Sequence, residues 1–427
     1  MMKLDDLRRT MLDGRTKGVP GTAAPFPLEE IGRQGWNVLA EDLPLPLMLL
    51  RRSHLDHNAA TFGAWLAERG LSFAPHGKTT MAPQIFAEQL RDGAWALTAA
   101  TVQQALVMHR FGVRRIIIAN QVVGRANVAA VAAMLEADAA LELFCFVDSP
   151  AHLANFVGHL AAAGAPRPVG LLLEVGVVGG RTGVRTRDAA LTLADAIAQA
   201  DPALVRFAGV SAFEGVVPGL AESDAPVRAF AQTVVDIAAA LPPALLAGLD
   251  EVILTGGGSA HFDLIAERFA TLKLPLPVRV VLRSGCYVTN DSGAYVAAQE
   301  AARRDPARAW SGQLKPALEV WSYVQSRPEP GLALLTMGKR DVPHDAGLPV
   351  PLARFRPGAG WRDVGEAEIF ATNDQHAFVR LPESSNWQVG DMIASGISHP
   401  CTAFDKWRFL PVVDDAYDVV DGVLTFF

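Results

Sequence analysis

Short apolar runs alternate with alanine-rich helical stretches between about residues 46 and 295, and this rhythm constrains the fold more than any other feature. Eight runs have the length and β-branched content of strands. They are Leu47–Leu50, Leu71–Pro75, Arg115–Ala119, Leu141–Val147, Gly170–Val175, Phe207–Phe213, Val252–Thr255 and Val278–Leu282. Eight strands separated by helices predict an α/β fold, a closed parallel (β/α)8 TIM-type barrel. An open doubly wound sheet has the same rhythm, but no Gly-x-Gly-x-x-Gly sequence follows the first strand.

After about residue 295 the alternation stops, and strands punctuated by proline and glycine take its place. The predicted strands are Ala317–Gln325, Gly331–Thr336, Ala367–Ala371, Gln375–Arg380, Asp391–Ile397 and Phe409–Asp414. This pattern indicates a second, mostly antiparallel β domain. We therefore expect a barrel at residues 46–295 and a β domain at residues 296–427, which part of residues 1–45 joins.

Charge and cysteine content exclude several classes of function. The net charge of -7 disfavours binding to nucleic acid or to an anionic membrane. Three scattered cysteines do not make a disulfide framework, so a reducing compartment is expected. The charged N-terminus lacks the apolar core of a signal peptide, and the apolar runs are too short to span a membrane. These features predict a cytoplasmic protein whose partner is a small molecule.

Lys78 follows the second predicted strand, within the segment His76-Gly77-Lys78-Thr79. A lysine at this position packs poorly, but its amine suits covalent chemistry with a carbonyl cofactor. Barrel enzymes place their sites at the carboxyl ends of the strands, where this segment lies. Taken alone, the segment is equally compatible with a solvated surface lysine beside a turn.

Three later strand ends carry groups that would suit a phosphorylated ring. Gly256-Gly257-Gly258-Ser259 offers unhindered backbone N–H groups for a phosphate, although a flexible loop would have the same sequence. Arg181, on a glycine-rich loop after a middle strand, is suited to an anionic oxygen or to the surface. Arg283 follows the last strand and is suited to face the nitrogen of a pyridine ring. Tyr287, close behind it, would line the mouth of the site or simply pack in the core.

His399 and Cys401 stand two residues apart, so an extended segment would present both side chains on one face. Imidazole and thiolate together suit Zn²⁺, and two ligands leave coordination positions for water and substrate. This pattern predicts a catalytic metal site. The alternative is a buried cysteine beside a hydrogen-bonded histidine.

Together, these motifs resemble those of the D-serine dehydratase-like and D-threonine aldolase-like enzymes. Those enzymes are relatives of alanine racemase that use pyridoxal 5'-phosphate (PLP) in a fold type III barrel. The resemblance covers nearly the whole chain after about residue 45 and depends on the order and spacing of the motifs. The motifs are Pro75–Thr79, the loop from Glu174 to Gly183, Gly209–Gly215, Gly256–Gly258, Arg283–Tyr287 and His399-x-Cys401.

By this resemblance, Lys78 is the catalytic residue and carries PLP as an internal aldimine. Arg181 would reach the phenolic oxygen of the cofactor, and Arg283 would lie near its ring nitrogen. The remaining implied cofactor contacts are His76, Phe213, Gly256, Gly257, Gly258, Ser259 and Tyr287. His399 and Cys401 would bind a divalent metal, with zinc preferred over manganese, magnesium or cobalt. Relatives pair their two domains across a dimer, so a homodimer is expected.

Three features depart from the family pattern. The loop that carries Arg181 is about two residues longer than in alanine racemase-like sequences, which would displace the guanidinium. Phe213 stands where many relatives have tyrosine or histidine, so one hydrogen-bonding group is missing. The N-terminal segment of about 45 residues is longer than the usual lead-in.

The implied reaction is a β-elimination from a D-3-hydroxy amino acid such as D-serine or D-threonine, giving a 2-oxo acid and ammonia. The His-x-Cys pair favours this dehydratase chemistry, because D-threonine aldolases more often have His-x-Asp. Retro-aldol cleavage to glycine and an aldehyde is the main alternative, and 3-hydroxy-D-aspartate is a further possible substrate. A racemase, a non-catalytic PLP carrier and a sugar-phosphate barrel enzyme are more remote alternatives. His376 is predicted to contact the substrate or to be an ordinary strand histidine.

Overall fold

The computed structural model describes residues 2–219, 223–306, 308 and 310–427. The N-terminal segment contains helix α1 (Asp5–Arg8) and the antiparallel pair β1 (Met11–Leu12) and β2 (Phe26–Pro27). Its backbone then joins the C-terminal strands, because the Val38 N–H donates to the Tyr417 carbonyl at 3.1 Å. The Val419 N–H donates in the opposite direction, to the Trp36 carbonyl at 2.8 Å.

Strand β3 (Leu47–Arg51) corrects one prediction. The sequence pattern assigns Leu47–Leu50 to the barrel, but the strand pairs antiparallel with residues 318–321 and parallel with residues 412–413. The assignment is wrong because a run of fully buried leucine and methionine suits the centre of any sheet. Periodicity alone does not show which sheet receives such a strand.

The eight parallel strands of the barrel follow. They are β4 (Ser72–Phe73), β5 (Leu97–Ala99), β6 (Arg115–Gln121), β7 (Glu142–Val147), β8 (Val169–Val175), β9 (Val205–Ala212), β10 (Val252–Gly256) and β11 (Val278–Leu282). Backbone hydrogen bonds between the β4 and β5 segments close the barrel. The Trp95 N–H donates to the Phe73 carbonyl at 2.7 Å, and the Thr98 N–H donates to the Pro75 carbonyl at 2.9 Å. The predicted (β/α)8 barrel is thus confirmed. β5 was not predicted because three residues are too few to show a strand period.

Helices surround the barrel and alternate with its strands. They are α2 (Arg52–Glu68), α3 (Pro83–Arg91), α4 (Val102–Arg110), α5 (Arg125–Ala137), α6 (Pro150–Ala162), α7 (Arg187–Ala198), α8 (Ala225–Ala239), α9 (Pro243–Leu246), α10 (Phe262–Phe269) and α11 (Ala294–Arg304). Strand residues alternate between two apolar clusters: Ile117 and Ala119 fill the barrel interior, whereas Ile116 and Ile118 join the larger core. Among the described residues, no helix combines the length and the apolar character needed to cross a membrane.

The C-terminal part of the chain is a mostly antiparallel β structure, as predicted. Its strands are β12 (Leu318–Glu329), β13 (Leu332–Leu335), β14 (Val350–Arg356), β15 (Gly360–Arg362), β16 (Glu368–Thr372), β17 (Ala377–Arg380), β18 (Met392–Gly396), β19 (Phe409–Val413) and β20 (Val419–Leu424). Of these, β14, β15 and β20 were not predicted. The domain boundary near residue 295 stays a prediction. The turn after β18, Pro400–Thr402, packs against the turn after β4, Gly77–Thr79, and brings the C-terminal residues to the barrel mouth.

Candidate active site

A cavity of about 270 Å³ lies at the carboxyl ends of the barrel strands. The predicted site residues that line it are His76, Lys78, Arg181, Phe213, Gly258, Ser259, Arg283, His399 and Cys401. Gly256 and Gly257 precede Gly258 in the same loop. Residues not predicted as site members also line the cavity, and they include Thr79, Asn120, Phe146, Cys286 and Tyr295. Folding therefore brings most of the predicted residues, from distant parts of the chain, to one place.

Lys78 is held by the packing of a short turn. It lies in the 3-10 turn Gly77–Thr79, immediately after β4, and its side chain is half-buried. Gly77 makes the turn possible, because a Cβ there would lie 2.6 Å from Met108 Cε and 2.9 Å from Phe86 Cε1. The tight contact of this turn with α3 and α4 fixes the backbone that presents the lysine to the cavity.

His76 is a neutral imidazole. Burial lowers the pKa of His76 well below its usual value of 6.5, and the charges of Arg283, Lys78 and Arg181 lower it further. Its Nδ1 is buried and has no hydrogen-bond partner among the described residues. The cavity therefore contains a ring nitrogen that is available to a ligand.

Arg283 is a buried cation on the cavity wall. It donates from Nη1 to Thr255 Oγ1 at 2.8 Å and from Nη2 to the Ala212 carbonyl at 2.9 Å. Burial lowers its pKa to about 10, although the carboxylates of Glu214 and Glu174 oppose this shift. The guanidinium thus stays charged at neutral pH, and its Nε is buried without a partner among the described residues.

The glycine loop already binds an anion of the chain itself. The Gly258 N–H donates to the Glu214 Oε1 at 2.6 Å, and the other oxygen of this buried carboxylate has no partner among the described residues. Gly257 adopts φ +76°, which glycine tolerates best. Ser259 Oγ accepts from the Cys286 N–H at 3.2 Å and ties the loop to the end of β11. One backbone N–H of the loop thus hydrogen-bonds to an anionic group, whereas phosphate binding by the loop stays a prediction. Glu214, which follows a strand of the barrel, was not predicted as a cofactor contact.

The loop after β8 brings Arg181 over Phe213, with the guanidinium carbon 5.1 Å from the ring centroid. Phe213 also packs on the glycine loop, since a Cβ at Gly258 would lie 2.9 Å from its Cε2. Arg181 is exposed, but it lines the cavity despite the longer loop that carries it. Phe213 thus occupies space between the arginine and the glycine loop and contributes no polar group.

Tyr287 does not line the cavity, and its predicted place at the mouth is corrected. Its ring packs on Phe62 and Phe73, at centroid distances of 4.8 and 4.9 Å, within an aromatic cluster. Its hydroxyl bonds to Gln89. β11 ends at Leu282, and Cys286, the residue before Tyr287, lines the cavity instead.

His399, Cys401 and Cys286 bring three potential metal ligands together, with their ligand atoms all within 4.8 Å of one another. The two sulfur atoms lie 3.5 Å apart. Asp345 Oδ2 lies 2.8 Å from His399 Nδ1, an arrangement that orients the ring and leaves Nε2 as the ligand atom. Thr402 donates to the other oxygen of Asp345 at 2.8 Å. Sequence analysis predicted His399 and Cys401, but not Cys286 or Asp345.

The electrostatics of this cluster favour an imidazolium beside a thiolate. The hydrogen bond with Cys401 raises the pKa of His399 to about 9, and Asp345 adds to this shift. Hydrogen bonding to Cys286 lowers the pKa of Cys401 well below 9.0, helped by His399 and Lys78. The same sulfur contact, together with burial, raises the pKa of Cys286. The lowered pKa of Cys401 favours the thiolate, which is the form that binds metals.

The cavity fits both a phosphorylated aldehyde cofactor and a divalent metal. An amine, a backbone N–H that binds a carboxylate, and two guanidinium groups are the donors that an anionic pyridine cofactor requires. The imidazole and thiols suit a borderline-soft metal, and the Asp345–His399 pair is the outer arrangement that zinc sites commonly have.

Comparisons with known proteins agree with the motifs. Residues 317–413 match the family model described as "Putative serine dehydratase domain". The chain is 29% identical to D-threonine aldolase of Arthrobacter sp over an alignment of 376 residues. This alignment covers 87% of this chain and 89% of the aldolase. The structure of D-threonine aldolase from Filomicrobium marinum superposes with a TM-score of 0.74 at 26% identity, covering 92% of this chain and 97% of the other.

Two further structures share the fold at lower identity. D-threo-3-hydroxyaspartate dehydratase from Delftia sp. HT23 gives a TM-score of 0.70 at 17% identity, covering 91% of this chain and 99% of the other. Alanine racemase from Clostridium difficile 630 gives a TM-score of 0.57 at 11% identity, covering 90% and 99%. The alanine racemase-like fold and the resemblance to the D-serine dehydratase-like and D-threonine aldolase-like family are therefore confirmed.

Proposed function

We propose that this protein is a PLP- and metal-dependent lyase that acts on D-3-hydroxy amino acids. One observation carries the proposal: a single cavity contains both the Lys78 amine and the His399–Cys401 pair. The hydroxyl of Thr79, the next residue after Lys78, lies 3.6 Å from Cys401 Sγ. A substrate whose amine is near Lys78 would therefore have its β-substituent within reach of a metal on His399 and Cys401.

The residues proposed to hold PLP are Lys78, Arg181, Arg283 and the loop Gly256–Ser259, with His76 and Phe213 beside them. PLP, when bound, supplies an electron sink for the charge that develops at the substrate Cα. Arg283 stays protonated at neutral pH and would place a full positive charge next to that sink. His76, being neutral, would offer a hydrogen-bonding nitrogen without adding charge.

Lys78 would serve as the proton-transfer group at the substrate Cα, because its amine is the base that the cavity presents at that end. Asn120 and Tyr295 line the same cavity, and Arg283 on its wall is buried. Burial of Arg283 strengthens its electrostatic contribution to the site.

A divalent metal held by His399 and Cys401 supplies Lewis-acid polarisation to an oxygen ligand. Asp345 would keep the His399 ring in the orientation that ligation needs. We propose loss of the β-hydroxyl, a dehydration that yields a 2-oxo acid and ammonia, because a soft thiolate-bearing site is typical of the dehydratase-like branch. In support, a solved structure of a D-threo-3-hydroxyaspartate dehydratase is a cysteine-to-alanine mutant described as the metal-free form.

Retro-aldol cleavage is the second candidate. It is favoured by the 29% and 26% identities to two D-threonine aldolases, which exceed the 17% identity to the dehydratase. The reaction would use the same lysine, cofactor and metal, but the hydroxyl would lose its proton and the Cα–Cβ bond would break. The products would be glycine and an aldehyde.

Product analysis with D-serine, D-threonine and D-threo-3-hydroxyaspartate distinguishes the two reactions. A 2-oxo acid released together with ammonia supports the dehydratase, whereas glycine released with an aldehyde supports the aldolase. The L-enantiomers are the matched controls and should not react. Absence of both product sets with all three D-substrates, in protein that contains cofactor and metal, would overturn the proposal.

We further propose that the protein works as a homodimer in the cytoplasm, as the family resemblance and the cysteine content suggest. Light scattering of the purified protein tests the oligomeric state. A mass equal to one chain at working concentration would contradict the dimer.

A further inference from the structure

Cys286 is a cavity residue with a potential metal-ligand atom that the proposed reaction has not used. It follows β11 in the segment Arg283-Ser284-Gly285-Cys286, and its thiol is buried. It comes from the barrel, whereas His399 and Cys401 come from the segment after β18. Two parts of the chain more than a hundred residues apart thus meet at this point.

The position of Cys286 is fixed by its neighbours. Its N–H donates to Ser259 Oγ at 3.2 Å, and its carbonyl accepts from the Asn290 N–H at 2.7 Å. Gly285 allows a close approach to His76, since a Cβ there would lie 2.6 Å from the His76 carbonyl oxygen. These contacts fix the backbone of Cys286 at the edge of the cavity, from which its sulfur reaches Cys401.

The geometry of the two thiols, which form a hydrogen bond in this structure, is also compatible with two ligands of one metal. Two thiolates on one zinc, each at ~2.3 Å, lie about 3.8 Å apart in a tetrahedral arrangement. The observed separation between Cys286 Sγ and Cys401 Sγ is 3.5 Å. It is much longer than a disulfide bond of about 2.05 Å. All three ligand atoms, with His399, lie within 4.8 Å of one another.

We propose that Cys286 is a third protein ligand of the metal and that the resulting Cys₂His set selects zinc over manganese and magnesium. This inference rests on the metal site of the proposed function and deepens it. Hard ions such as Mg²⁺ and Mn²⁺ prefer oxygen ligands, so two thiolates disfavour them. Three protein ligands leave one position of a tetrahedral zinc open for a substrate oxygen.

Metal binding by full-length protein, with PLP present, tests the proposal in the Cys286→Ala variant. Cys145→Ala is the matched control, because Cys145 is a buried thiol in β7 outside the cavity. After removal of metal with a chelator, Zn²⁺ affinity is measured by competition. Cys286→Ala should weaken it by ~100-fold or more, and Cys145→Ala should leave it unchanged. Equal zinc affinity of wild type and Cys286→Ala would overturn the inference.

Cobalt substitution provides a second readout that does not depend on activity. The thiolate-to-Co²⁺ absorption band should fall about twofold in Cys286→Ala, because one of two thiolates is lost. Cys401→Ser should keep a residual band of similar size. If Cys286→Ala fails to fold, the Cys401→Ser spectrum decides alone: a complete loss of the band means that Cys401 was the only thiolate ligand.

Manganese competition tests the predicted selectivity. Wild type should keep zinc in the presence of excess Mn²⁺, and Cys286→Asp should shift the preference towards Mn²⁺, because a hard carboxylate replaces a soft thiolate. An unchanged preference would contradict the selectivity. Loss of two hydrogen atoms from wild type in the absence of reductant, mapped by peptide mass to a Cys286–Cys401 disulfide, would also overturn the proposal.

Failure of this inference and failure of the proposed function give different results. If zinc binds and is lost in His399→Ala but is retained in Cys286→Ala, only the third ligand is wrong. If wild type binds neither zinc nor cobalt, the metal part of the proposed function fails and this inference fails with it. Product analysis with the D-substrates is independent of both results.

Discussion

The two ends of the cavity treat charge in opposite ways. At the barrel end, Arg283, Lys78 and Arg181 lower the pKa of His76 and keep its ring neutral. At the other end, Cys401 and Asp345 raise the pKa of His399 to about 9. The positive charge at one end therefore disfavours protonation of His76 and attracts anions. The negative charge at the other end attracts cations. The comparison indicates that a single cavity is divided into an anion-binding half and a metal-binding half.

Lys78→Ala tests the anion-binding half and should have the largest effect. Without the amine, covalent attachment of PLP is lost, and kcat/KM should fall by at least ~1,000-fold. The visible absorbance of the bound cofactor should disappear. Lys78→Arg keeps the positive charge and serves as the control: it should also be inactive, because a guanidinium does not form the covalent bond. An unchanged cofactor spectrum in Lys78→Ala would contradict the role.

His399→Ala tests whether the halves are independent. The variant should lose metal and about 100-fold or more of its activity, because Lewis-acid polarisation is lost. The cofactor absorbance should remain as in wild type. Added zinc should restore chelated wild type but not the variant. His376→Ala, at a half-buried histidine immediately before β17, is the control and should retain metal. Joint loss of metal and cofactor would show that the halves are not separate.

The neutral His76 gives the cofactor-free protein a predictable pH dependence. Its folded pKa lies below 6.5, so the unfolded chain takes up the proton first as the pH falls. The free energy of unfolding should therefore be highest above about pH 6.5 and should decrease below it, by up to ~1.4 kcal/mol per pH unit. Urea unfolding across this range measures the slope. His76→Asn should flatten it, whereas His159→Asn, on helix α6, should not.

Tyr287→Phe should have the smallest effect. It tests whether Tyr287 lies outside the anion-binding half of the cavity. Removal of the hydroxyl that bonds to Gln89 should lower the free energy of unfolding by about 1 kcal/mol. Because the ring packs on Phe62 and Phe73 outside the cavity, kcat/KM should stay within about twofold of wild type. Steady-state kinetics and urea unfolding together check this. A tenfold loss of kcat/KM at unchanged stability would show that Tyr287 contributes to the active site.

The barrel was largely predictable because strands and helices alternate with different apolar periods. Two strands show the limit of that signal. Leu47–Leu50 has the composition of a barrel strand, but pairing with β12 and β19 places it in the C-terminal sheet. Leu97–Ala99 is too short to be recognised as a strand from its sequence. It nevertheless closes the barrel through backbone hydrogen bonds with the segment after β4. Burial determines an apolar pattern, whereas the choice of sheet depends on partners that are distant in the sequence.

The site follows the same division. Lys78, Arg283 and the glycine loop could be predicted because polar groups at the ends of parallel strands converge on one face of a barrel. Glu214 could have been suspected as a strand-end carboxylate, but only its 2.6 Å contact with the Gly258 N–H gives it a place in the site. Asp345 carries no signal in the sequence, since it lies in a loop 54 positions from His399.

The sequence by itself determined the barrel rhythm, the lysine at a strand end and the His399-x-Cys401 pair, because these depend on local spacing and on the chemistry of single side chains. Only the tertiary structure decided that Cys286 lies 3.5 Å from Cys401, that Tyr287 packs in the core and that β3 belongs to the C-terminal sheet. Such contacts arise when segments far apart in the chain bury their surfaces against each other. No local sequence pattern predicts these contacts, because the free energy that stabilises them comes from packing throughout the whole fold.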